Sequence, residues 1–88
     1  MEADIHITSA VAFVRPEALE AVARAILDRR LAEVPRADPR GRLVLLLERD
    51  STGAVLDALD AIRSLPGVLA VHLVYQHAEP ASALEDSP

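Results

Sequence analysis

Apolar positions fall into six blocks along the 88 residues, and their spacing predicts the element order. Residues 5–14 (IHITSAVAFV) are β-branched or small, lack Gly and Pro, and read as a strand. Ile5, Ile7, Ser9, Val11 and Phe13 share one face; His6, Thr8, Ala10, Ala12 and Val14 share the other. The first set is bulkier and is expected to face the core. Pro16 suits a helix's first turn, with Glu17 and Glu20 at the positive end of its dipole. Leu19, Val22, Ala23, Ile26 and Leu27 form one apolar stripe, and Arg29 and Arg30 stand in the last turn, predicting a helix over about residues 16–30.

Residues 31–35 (LAEVP) suggest a short second strand, with Pro35 at a sheet edge. A polar turn, 36–42, leads to residues 43–48 (LVLLLE), apolar on both faces and expected as a central strand. Asp50, Ser51 and Thr52 offer capping oxygens for a helix over about 53–65, with Val55, Leu56, Leu59 and Ile62 as its stripe and Pro66-Gly67 as its stop. The last strand, 68–76, alternates Leu69, Val71, Leu73 and Tyr75 against Val68, Ala70, His72, Val74 and Gln76. Residues 1–78 are thus expected to form one domain, and 79–88, rich in Ala, Pro, Ser and acid, a disordered tail.

The order β-α-β-β-α-β is the ferredoxin-like split βαβ arrangement of the α+β class. Right-handed crossovers put both helices on one face of a four-stranded antiparallel sheet of order 4-1-3-2. The other face is left without a helix, and a sizeable apolar face calls for a partner peptide, a second subunit or a ligand. On this reading the uncovered face presents His6, Thr8, Ala10, Ala12 and Val14 from the first strand and Val68, Ala70, His72, Val74 and Gln76 from the last. The third strand adds either Val44, Leu46 and Glu48 or Leu43, Leu45 and Leu47. Thr8, Ala10, Ala12 and Ala70 would make a shallow trough able to seat a helix.

Composition narrows the chemistry. There is no Cys, which removes disulfides, thiolate zinc sites and thiol nucleophiles. A formal net charge of -5 and only 2% aromatic residues argue against nucleic acid. A basic peptide would be steered toward such a surface. The acidic N-terminus is unlike a signal peptide, and no apolar run reaches membrane-spanning length; a cytoplasmic protein without membrane insertion is expected. His6, His72 and His77 do not form a convincing metal set: alternation puts His6 and His77 on opposite faces and His72 with His6. Ser9 and Ser51 lack an evident base. Paired-Cys copper chaperones, aromatic RNA-binding sheets and Asn-dependent acylphosphatases are each missing their defining residues. A peptide binder and a ligand-sensing module that dimerises through its sheet remain open; neither is an enzyme.

Residues 65–79 (LPGVLAVHLVYQHAE) resemble the C-terminal signature of the NapD family: Pro-Gly-Val-Leu, a variable stretch, Leu-Val-Tyr, then His or Gln and an acid. Residues 6–11 (HITSAV) are similar to the family's opening strand and 41–48 (GRLVLLLE) to its third, so the resemblance covers about residues 5–79. It departs at 28–35 (DRRLAEVP), where relatives usually have a Pro-Gly-Val-like turn. The resemblance implies a cytoplasmic maturation chaperone, without cofactor or catalysis. Such a protein binds the twin-arginine signal peptide of the periplasmic nitrate reductase catalytic subunit and delays export until that enzyme's cofactors are inserted. The residues expected to bind the peptide are His6, Thr8, Ala10, Ala12, Val44, Leu46, Ala70, His72, Val74 and Gln76, in a monomer or weak homodimer. A helix laid on the sheet and a strand added at its edge both remain open, the family favouring the former.

Overall fold

The computed structural model describes residues 4–80, with side chains through Ala78. Its elements are β1 (Asp4–Val14), a 3-10 turn (Pro16–Ala18) running into α1 (Leu19–Asp28), β2 (Glu33–Asp38), β3 (Arg42–Arg49), α2 (Thr52–Arg63) and β4 (Val68–Pro80). The four strands form one antiparallel sheet in the order β2-β3-β1-β4, the expected 4-1-3-2 order read from its other edge.

The core lies between the helices and one sheet face. Val22 and Ile26 of α1 and Val55, Leu59 and Ile62 of α2 pack over Leu43, Leu45 and Leu47 of β3 and Ala10, Ala12 and Val14 of β1. This reverses the expected orientation of β1. Its smaller face, with Thr8, Ala10 and Ala12 at 0% exposure, lies beneath the helices. Ile7, Val11 and Phe13, the bulkier set, are only half-buried on the side without helices. The reason is volume. The leucines of β3 and the branched side chains of both helices already fill the layer, and a close-packed interior leaves the strand between them room only for small groups.

Each helix end has a local cause. Ser51 Oγ accepts a hydrogen bond from the Ala54 N–H at 3.1 Å and caps α2. The first helix is expected to run on to Arg30, but its last helical residue is Asp28. There the Arg30 N–H donates to Leu27 O and the Leu31 N–H to Ile26 O, a Schellman closure with Arg30 in the left-handed region at φ 53°. Glycine usually fills that place, and this is where the sequence departs from the NapD-like turn. Arg49 Nη2 reaches the same corner, donating to Arg30 O at 3.0 Å and Leu31 O at 2.6 Å.

Glycine is required at two turns that hold the end of β1. Gly41 (φ 111°) accepts from the Val14 N–H through its carbonyl, and Gly67 (φ 93°) accepts from Arg15. A Cβ on Gly67 would stand 2.5 Å from Ala18 Cβ, and one on Gly41 2.3 Å from the Val14 carbonyl oxygen. β2 begins at Glu33 and takes in the Arg36–Asp38 stretch expected to be turn. β4 runs to Pro80 rather than stopping at Gln76. It thus takes in residues 79 and 80 of the expected tail; the rest of that acidic segment lies outside the described residues.

Candidate functional site

Side chains that pair directly across an antiparallel sheet share a face, so the register maps the uncovered side row by row. His77, Ile7 and Glu48 make one row; Tyr75, Ser9, Leu46 and Glu33 the next. His72, Val11, Val44 and Arg36 follow, then Ala70, Phe13, Arg42 and Asp38. The middle of this grid is apolar: Ile7, Val11, Phe13, Val44 and Leu46 are all half-buried although no helix lies over them. A shallow depression of about 340 Å³ opens over Val11, Phe13 and Val44, rimmed by Arg36, Asp38 and Arg42.

Of the residues expected on this face, Val44, Leu46, Ala70 and His72 are there. His6, Thr8, Ala10, Ala12 and Gln76 are not: they lie on the helix-side face, by the inversion of β1 and by the pairing of Gln76 with Thr8. Val74 belongs to neither alternation. It is the unpaired residue of a β-bulge, since Tyr75 pairs with Ser9 and Leu73 with Ala10; Leu69 is a second, between Val68 and Ala70. Each bulge shifts the parity of β4 by one. Val68 therefore turns to the helix side, and His72 shares its face with His77 rather than with His6. Ile7, Val11, Phe13 and Tyr75 also stand on this face; bulk alone does not point there, since the larger side chains of a strand ordinarily face the core.

Two aromatic contacts order the β4 side. His72 meets Phe13 edge to face at 5.2 Å between centroids, and His77 stacks on Tyr75 at 6.1 Å. At the β2 edge Asp38 accepts from Arg40 Nη2 at 2.9 Å and Arg42 Nη2 at 2.6 Å. These bonds, Arg40's first, and that from the Arg40 backbone N–H hold its carboxyl well below the usual carboxylate range. The three histidines do not converge, and among the described residues no three His, Asp or Glu side chains group as a metal site.

A four-stranded antiparallel sheet with helices on one side and a bare aliphatic face on the other defines an α+β domain of the ferredoxin-like class. The model of the NapD protein family matches residues 5–80, and the chain belongs to that family. Its structure is similar to the solution structure of the E. coli Tat proofreading chaperone protein NapD, with a TM-score of 0.78 and 26% sequence identity over 100% of this chain and 92% of that one. No curated protein sequence matches it significantly. Among the described residues no helix is long and apolar enough to cross a membrane.

Proposed function

We propose that this protein is a cytoplasmic chaperone that binds the twin-arginine signal peptide of the periplasmic nitrate reductase catalytic subunit precursor and holds it back from export until cofactor insertion. It acts by binding, without catalysis or a cofactor of its own. The observation that carries this reading is the open face, where Ile7, Val11, Phe13, Val44 and Leu46 form an apolar field that the chain's own helices leave uncovered. A signal peptide with a basic start and an apolar stretch suits an acidic protein offering such a field.

The two sheet edges favour a helix on the face over an added strand. β4 is interrupted by bulges at Leu69 and Val74, and β2 carries Pro35, which has no N–H to donate, beside a register shift between Glu33 and Arg36. Neither offers an unbroken ladder. The face spans four rows from Ile7 to Phe13, about 20 Å at strand spacing, which matches about 13 residues of helix. Its four strands are about 14 Å across, room for one helix of about 10 Å.

The test is an amide NMR titration with the synthetic signal peptide. Shifts should concentrate on Ile7 to Phe13, Val44 to Glu48 and Ala70 to His77. Shifts confined to the outer surfaces of α1 and α2, or none, would refute the proposal.

A further inference from the structure

The open face carries opposite charge at its two ends, and we infer that this fixes the direction in which a bound leader lies: cationic segment over Glu33 and Glu48, apolar segment running along β1 and β3 toward Val11 and Phe13. The inference rests on the reading of this face as a peptide-binding surface and adds the orientation.

The register places the charges. Glu48 sits in the Ile7 row and Glu33 in the Ser9 row, at one end of the apolar field. Arg36 sits in the Val11 row and Arg42 in the Phe13 row, at the other, with Arg40 in the adjoining turn. The two ends differ in how their charge is spent. At the arginine end three guanidiniums meet one carboxylate, Asp38, which already pairs with Arg40 and Arg42. At the other end neither Glu33 nor Glu48 forms an ion pair among the described residues. Arg30 and Arg49 border the hollow beside these glutamates. The Arg49 guanidinium, however, is directed at the carbonyls of Glu48, Arg30 and Leu31.

A peptide that begins with adjacent arginines and continues with an apolar helix therefore meets the two unpaired glutamates in one direction and the arginine-rich end in the other. Reversed, its cations would lie among Arg36, Arg40 and Arg42, and like charges in contact are disfavoured. Rim charges set register and direction more than total affinity, so direction is the quantity to measure.

The experiment uses the whole protein and a synthetic peptide of two adjacent arginines followed by a leucine- and alanine-rich helical stretch. A nitroxide is placed ahead of the arginines in one version and after the apolar stretch in another. The first label should broaden the amides of Ile7, Leu46, Glu48 and Glu33, and the second those of Phe13, Ala70 and Arg42. The reversed pattern, or equal broadening by both labels, overturns the orientation while leaving the face as the binding surface. Broadening on the helices alone, or no binding, removes the face reading and this inference with it. In support, the E33Q/E48Q variant should bind the unlabelled peptide about fivefold more weakly at low salt, with the difference shrinking as salt is raised. An unchanged affinity for that folded variant also counts against the inference.

Discussion

Phe13 and His72 touch edge to face across the open side of the sheet, their ring planes inclined at 61°. The contact joins a central strand to an edge strand on the surface that no helix covers, so these rings are supported from the side and bare above. Loss of either should register in recognition more than in folding.

Phe13→Ala should lower peptide affinity about tenfold or more while costing about 1–2 kcal/mol of stability, since the ring is only partly buried on the face without helices. Ala10→Leu should do the reverse, costing about 1–3 kcal/mol by overpacking the layer under the helices. Urea unfolding read beside a peptide titration separates the two; similar profiles for both variants would contradict the face assignment.

Thr8 is fully buried on the helix side, and its Oγ1 has no hydrogen-bond partner. Thr8→Val keeps the shape and removes the orphaned hydroxyl, so the protein should gain about 1 kcal/mol. A denaturation midpoint that falls would show that the hydroxyl has a partner in solution.

Arg30 holds a left-handed backbone at a helix end. The conformation costs a non-glycine residue about 1–2 kcal/mol, and the extra freedom of an unfolded glycine returns about 0.4–1 of that. Arg30→Gly is expected to raise stability by about 0.5–1 kcal/mol, measured by thermal unfolding. The Gly67→Ala variant, facing both a φ of 93° and Ala18, should lose at least as much as Arg30→Gly gains.

The Asp38 carboxyl is held low by Arg40 and Arg42. For a depressed carboxylate the stabilisation is complete above its ordinary range and is lost as pH falls through the lower folded-state value. Asp38→Asn should therefore be less stable than the parent at neutral pH by a constant amount. The two curves should converge as the pH drops below about 4; parallel curves throughout would mean the pairs contribute nothing in solution.

Element order and topology were legible because Pro16, Ser51, Pro66-Gly67 and the helical stripes are local signals. The site was legible only in part, for two physical reasons. Alternation distinguishes the two faces of a strand but not which one the helices choose, and that choice follows the total volume brought by Leu43, Leu45, Leu47 and both helices. Alternation also assumes an unbroken pleat, and the extra residues Leu69 and Val74 break it twice within one strand. Val44 and Leu46 are one of two alternatives the pattern leaves open for the third strand, and Ala70 and His72 share a face because both lie between the two bulges; Thr8, Ala10 and Ala12 are misplaced because small side chains fit both a trough and a crowded core.

All eleven paired positions of β4 are with β1, the last strand of the described chain against the first. Val14 meets Val68 only when the whole segment between them has been made, and loop closure over that distance slows the step that completes the sheet. During synthesis one edge of the first strand must therefore wait, its backbone groups unpaired, until β4 emerges. Until then no nascent chain has His72 or Tyr75 beside Val11 and Ser9, so the β4 side of the open face is the last part of it to form.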